Sequence, residues 1–374
     1  MRNQVEEQAQ KHSKIPDIDV IDLEENNDIP PADESQEEYP EEEDSEKDTR
    51  RGFHFYMHIA LVAMTLLVVI TVVYRLKHWG VFISQDDIFK NGEGIEVSTD
   101  ILDSFFPVED ENGNILPPDH DGNGLTILAL GNAPFADDAD SENSLAAMIE
   151  DLTGGTVINC AVTGSYAASE CSTLSPNDAP MDAYTPYWLC ALAMFSDVEP
   201  YYGTVANVMG EDLPPEGEYV FETLSAIDLN TVDVVVFMYD ATDYLINHPM
   251  YSDEYFMDTQ QFTGNLEASF DILQSNYPHL RIIVLSPTYA FAIDDNGEYI
   301  SSDAKRYDHD VLSTYSIHLC YSCHRTKVTF VDNLYGTITE DNATEYLTDN
   351  LHLNVEGRRL VAERFVYALT YYGE

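Results

Sequence analysis

Leu125-Thr126-Ile127-Leu128-Ala129-Leu130 runs straight into Gly131-Asn132-Ala133-Pro134-Phe135-Ala136-Asp137-Asp138. A short apolar run that ends at a glycine and a turn is the pattern of a strand buried on both faces. Four more such runs follow, at Thr156–Asn159, Val232–Met238, Arg281–Leu285 and Val328–Val331. Helical patterns lie between and after them, at Ser141–Leu152, Pro186–Phe195, Asn265–Ser275, roughly Asp303–Cys323, and Val355–Thr370. Strands alternating with crossover helices predict an α/β domain over residues 125–374. Its expected form is a flavodoxin-like three-layer parallel sheet, preceded by one transmembrane helix. No internal repeat is found.

The N-terminal third is organised differently. Residues 1–52 form an acidic, polar tail with Glu41-Glu42-Glu43-Asp44 as its densest run. Such a segment buries too little apolar surface to offset its chain entropy and is expected to be disordered. Composition inverts at residues 53–76. Ile59 to Tyr74 carries no charge, and with Phe53–Met57 the apolar stretch reaches about 20 residues, enough for a hydrocarbon core of roughly 30 Å. Tyr56, Tyr74 and Trp79 stand near its two ends, as interfacial aromatics do. Lys47, Arg50 and Arg51 slightly outweigh Arg75 and Lys77, which favours an inside N-terminus. The expected arrangement is therefore a single-pass protein of the cell membrane, held in the bilayer by residues 53–76, with an extracellular C-terminal domain. Residues 77–124 are expected to be a stalk. Asp119, Asp121 and Asn123 alternate like part of a calcium loop, but the closing Glu is missing, so a turn is expected.

The formal charge of the 374-residue chain is −51. The first 50 residues hold 18 acidic and 5 basic side chains, a net of −13, which leaves −38 for the rest. An acidic globular part repels nucleic acid and anionic lipid, so nucleic acid is excluded as a partner. Five cysteines, Cys160, Cys171, Cys190, Cys320 and Cys323, make no dense disulfide framework. Cys320 and Cys323 form a C-x-x-C flanked by His318 and His324, but no second pair exists and the local pattern is helical. No metal or other cofactor is expected.

In an open parallel sheet, functional groups gather at the carboxyl ends of the strands. The candidate residues sit there. Asn132 and Ala133 follow the first strand, and Gly164 and Ser165 follow the second. Asp240, Thr242 and Asp243 follow the third. Asp349 and His352 precede the last helix, where a carboxylate three residues before an imidazole can hold it in one tautomer for proton transfer.

These four blocks, in this order, resemble those of the SGNH (GDSL-type) hydrolases over about residues 125–374. In that family a Gly-Asp-Ser follows the first strand, Asn-x-Gly-x-x-Gly the second and Gly-x-Asn-Asp the third, with Asp-x-x-His before the closing helix. The resemblance implies a base at His352 oriented by Asp349. It also implies an oxyanion hole from the backbone of block one, the Gly164 N–H and the block-three position, which falls on Thr242. Here the chain departs from the pattern. The nucleophile slot holds Ala133, Ala161 replaces the first block-two Gly, and Asp240 stands where block three has Gly. An Ala has no oxygen to attack a carbonyl. Ser165 and Ser141 are nearby hydroxyls, and no G-x-S-x-G elbow exists. Asp137, Asp138, Asp240 and Asp243 could instead converge with His352 on one sheet edge, to activate water or hold a cation. The plainer alternative is that Asp137, Asp138 or Asp140 caps the next helix.

Three functions stay open on these residues. The first is an esterase or acyltransferase acting on acyl or acetyl esters of cell-surface glycans, since membrane-anchored relatives act on esters of wall polymers. The second is a degenerate domain that binds a cell-wall glycan or a protein without turnover. The third is a scaffold whose acidic tail is the working part. Tyr166, Tyr239, Tyr244 and Phe135 suit sugar stacking or packing under a loop alike.

Overall fold

The computed structural model describes residue 65 and residues 101–110, 112–119 and 122–371. The acidic tail, the span expected at 53–76 apart from Thr65, and the linker as far as residue 100 lie outside the described residues. Among the described residues no helix is long and apolar enough to cross a membrane.

The chain after residue 125 folds as β1 (Thr126–Gly131), α1 (Ala133–Ala136), α2 (Leu145–Thr153) and β2 (Thr156–Asn159), followed by α3 (Pro186–Met194), α4 (Glu199–Met209) and α5 (Gly217–Ala226). Next come β3 (Val234–Met238), α6 (Thr242–Leu245), α7 (Phe262–Asn276), β4 (Arg281–Leu285) and a hairpin of β5 (Ala292–Ile293) and β6 (Tyr299–Ile300). The last elements are α8 (Leu312–Thr326), β7 (Thr329–Val331), α9 (Asn333–Gly336), α10 (Ala343–Tyr346) and α11 (Val355–Thr370). The five-stranded sheet has the order β2-β1-β3-β4-β7, and every pair in it is parallel. This is the doubly wound α/β sheet expected from the strand and helix patterns.

The strand sequences explain the layering. β3 and β4 are buried at every residue, so both faces are covered by helices and the strands read as continuous apolar runs. α2 packs with α11, while α3, α5, α7 and α8 pack among themselves. Strand order reverses at β1: β2 is added on one side of it, and β3, β4 and β7 on the other. That switch point opens a crevice at the carboxyl ends, where ligands bind in such sheets.

Close packing at the switch point dictates one residue. Gly131 lies opposite Met238, and a Cβ there would sit 2.0 Å from the Met238 carbonyl oxygen. Only glycine lets β1 and β3 approach this closely at the mouth of the site.

Several boundaries differ from the sequence expectation. The helix expected from Asp303 begins at Leu312. The intervening chain is held irregular by side chains of other segments: Tyr244 Oη donates to the Lys305 carbonyl at 2.8 Å, and the Asp308 N–H donates to Asn247 Oδ1 at 2.9 Å. Ser144 caps α2, its Oγ accepting the Ala147 N–H at 3.2 Å, so Asp137, Asp138 and Asp140 do not. Described residues of the segment read as a linker pack against the sheet and α11. Ser104 makes an antiparallel bridge to Phe330 of β7, and Asp103 pairs with Arg364 of α11 at 2.6 Å.

Candidate active site

The closing block folds as a tight loop ahead of α11. The Thr348 N–H donates to the His352 carbonyl at 2.8 Å, and Asn354 caps α11 by accepting the Gly357 N–H at 2.9 Å. This loop brings Asp349 under His352. Asp349 Oδ1 accepts the backbone N–H groups of Leu351 and His352, each at 2.8 Å, and Oδ2 lies 2.7 Å from His352 Nδ1. The carboxylate is thus anchored by the backbone before it touches the ring. With Nδ1–H donated to Oδ2, Nε2 is the atom left to exchange a proton.

The charges follow the geometry. Partial burial opposes the charged form of His352, but the Asp349 hydrogen bond and the negative field of Asp349, Asp137 and Asp240 outweigh it and raise its pKa above 6.5. Burial likewise opposes the Asp349 carboxylate. The backbone N–H bonds from His352 and Leu351 and the His352 ring overcome this and hold it below 3.8.

Blocks one and three meet at the ends of β1 and β3. Asn132 is buried and bonds Asp240 twice, with Nδ2 donating to Asp240 Oδ1 at 2.7 Å and Oδ1 accepting the Asp240 N–H at 2.9 Å. Asn132 Nδ2 also donates to the Ser165 carbonyl at 3.0 Å, tying block two to the pair. Asp240 Oδ1 further accepts the Thr242 N–H at 2.9 Å. Burial raises the pKa of Asp240, against the pull of Thr242, Asn132 and His352. Ala133 is buried as the first residue of α1, and Thr242 is half-buried as the first residue of α6.

The structure does not bring Asp243 to this edge. It is buried and accepts the Ala167 N–H at 2.8 Å and the Ala168 N–H at 2.9 Å, with His248 Nδ1 2.9 Å from its Oδ1. It is the internal anchor of the block-two loop. Gly164 lies exposed on that loop with φ +74°, a left-handed conformation that favours glycine. Beside it, Glu216 accepts both the N–H and the hydroxyl of Thr163, at 3.3 and 3.0 Å. Ser165 is fully buried, and its Oγ donates to the Gly131 carbonyl at 3.3 Å, so it is no nucleophile. Tyr166, Tyr239, Tyr244 and Phe135 are all buried, which makes them packing residues.

A cleft of about 490 Å³ opens between the end of α1 and the closing loop, lined among others by Asp137, Asp138, Thr348, His352 and Arg358. Arg358 is itself buried and donates to Asp138 Oδ2 at 2.7 Å. Asp138 holds that bond from a left-handed backbone, φ +53°. Burial raises the pKa of Asp137, while the His352 and Arg358 charges pull it back. Arg358 was not singled out from the sequence. Its place in the first turn after the Asp/His block was the available signal. No cluster of three or more His, Cys, Asp or Glu side chains that could hold a metal is found among the described residues. All five cysteines are free thiols, and Cys160 and Cys323 are buried.

No protein-family model matches the chain, and no curated protein matches it. Solved structures do resemble it. One is a protein from Lactobacillus plantarum, 17% identical, TM-score 0.43, covering 67% of this chain and 99% of its own. A second is a possible lipase from Chitinophaga pinensis, 12% identical, TM-score 0.40, with 65% and 97% covered. A third, from Desulfitobacterium hafniense, is described as a candidate lipolytic protein of the G-D-S-L family, 12% identical, TM-score 0.38, with 65% and 99% covered.

Proposed function

We propose that residues 125–374 form an SGNH-like hydrolase domain that cleaves or transfers acyl groups, acetyl esters of cell-surface glycans being the substrate class. In this proposal residues 53–76 anchor the chain in the membrane and the domain faces outward. The observation that carries it is the Asp349–His352 pair at the carboxyl edge of the sheet. Its carboxylate is pinned by two backbone N–H groups and its imidazole opens onto the cleft. A pair that served only to close the loop would not need a half-exposed imidazole on the wall of a cleft.

Ala133 favours a second reading, in which the domain binds its glycan without turnover. Loss of a nucleophile removes most of a triad's rate, leaving roughly 10³–10⁴-fold over water.

The test uses the full chain with aryl acetates and an acetylated glycan, beside His352→Ala and Ala133→Ser. Turnover by the parent that His352→Ala abolishes supports the hydrolase. A silent parent that gains activity on Ala133→Ser supports the binding protein. Silence in all three excludes the hydrolase.

A further inference from the structure

A hydrolase without a nucleophilic side chain must activate water, and the cleft must supply both a proton acceptor and a proton donor. Thr348 is the hydroxyl lining this cleft, and its Oγ1 donates to the His352 carbonyl at 3.2 Å. Ser165 and Cys160 are buried away from solvent. Two carboxylates remain on the cleft wall. Asp138 is committed to the buried Arg358 guanidinium. Among the described residues the Asp137 carboxylate has no such ion pair: its N–H closes the turn of α1 onto the Ala133 carbonyl at 2.8 Å, and Asp137 lines the same cleft as His352. It stands one helical turn beyond the residue that fills the nucleophile position.

We propose that Asp137 is the general base of this site and that His352 is its general acid. The proposal rests on the hydrolase reading above and names the residue that replaces the missing serine.

In the step, an Asp137 carboxylate oxygen takes one proton from water as the water oxygen bonds to the acyl carbon. The carbonyl π pair moves onto its oxygen. That pair then re-forms the C=O bond, the bond to the leaving oxygen breaks, and His352 Nε2–H protonates the departing alkoxide. The Asp137 proton returns to the neutral imidazole. One water is consumed, and one acid and one alcohol are released.

The charges around both groups suit these roles. Asp349 and Asp240 face His352 from the closing loop and from the end of β3, and together with Asp137 they keep the ring protonated above its ordinary range. Asp137 meets His352, Arg358, Asp240 and Asp138, and burial raises its pKa, which makes it a stronger base than an exposed carboxylate.

The experiment compares the full chain with Asp137→Asn, an isosteric change, on phenyl acetate and ethyl acetate. Its partner measurement is an NMR titration of the His352 ring in both proteins. Asp137→Asn is expected to lower kcat about 10²–10⁴-fold on both esters with little change in KM, and to remove the acid limb of the pH profile. His352→Ala is expected to cost more on ethyl acetate, whose poorer leaving group needs the proton. The His352 pKa is expected to fall in Asp137→Asn. An active parent whose rate survives Asp137→Asn overturns this inference and leaves the hydrolase reading standing. A silent parent overturns both. An unchanged His352 pKa overturns the inference whatever the turnover.

Discussion

Asn132 and Asp240 grip each other through two hydrogen bonds, a side-chain amide to carboxylate at 2.7 Å and a backbone N–H to side-chain carbonyl at 2.9 Å. The pair joins the carboxyl ends of β1 and β3, where both residues are buried. Asn132→Ala removes one partner and leaves the Asp240 carboxylate and N–H short of bonds in the interior. Unsatisfied buried polar groups cost about 1–3 kcal/mol each, more when charged. The expected outcome is an unfolding free energy, from urea titration, lowered by an amount in that range or above it. An unfolding free energy within about 0.5 kcal/mol of the parent, typical of surface changes, would show the pair to be dispensable.

Gly131→Ala tests the approach of the same two strands. The added Cβ meets the backbone of Met238, which cannot swing aside as a flexible side chain does. Overpacking costs roughly 1–3 kcal/mol and occasionally more, and a backbone clash belongs at the upper end. Denaturant unfolding should report a loss of that size, together with weaker hydrogen-exchange protection in β1 and β3. Gly164→Ala, where the added Cβ meets nothing within 4 Å, should cost only the strain of a left-handed φ.

The sheet was legible in the sequence because buried parallel strands are uninterrupted apolar runs, and Thr156–Asn159 and Arg281–Leu285 begin and end where the pattern puts them. Val355–Thr370 was equally clear, with a capping Asn354 in front of it. α4 and α5 were not, because Pro200, Gly203 and a scatter of exposed Tyr blur their periodicity. At the site, Asp349 and His352 could be read because their contact is local, three residues apart. The bonds of Asn132 to Asp240 and of Arg358 to Asp138 span 108 and 220 residues, and no local pattern encodes them. Asp243 is expected at the cleft from the sequence because it follows the third strand in the same block as Asp240. The turn into α6 points it inward to the 167–168 amides instead.

Asp243→Ala should therefore behave as a structural lesion. Two buried backbone N–H donors lose their acceptor together, and His248 loses its partner. The expected cost is about 2–5 kcal/mol, the sum of two unsatisfied donors in a loop with some room to relax. Amide exchange at Ala167 and Ala168 should rise to that of an open loop. If those two amides stay protected while the protein remains folded, another group must be holding the loop.

The Asp349–His352 pair has a stability signature with two edges. Asp349 titrates below its ordinary 3.8 in the folded chain, so its contribution is present above that value and is lost as pH falls through the folded pKa. His352 titrates above its ordinary 6.5, so its contribution is present below that value and is lost as pH rises through the folded pKa. The pair therefore stabilises most between pH 3.8 and 6.5. Both side chains are 42% exposed, which keeps the gain within the range of about 0–1 kcal/mol found for solvent-screened pairs. Unfolding free energies of the parent and His352→Gln, measured at pH 3, 5.5 and 9, should differ most at the middle pH. A difference that grows toward pH 9 would mean that a neutral ring, not the ion pair, is what the fold prefers.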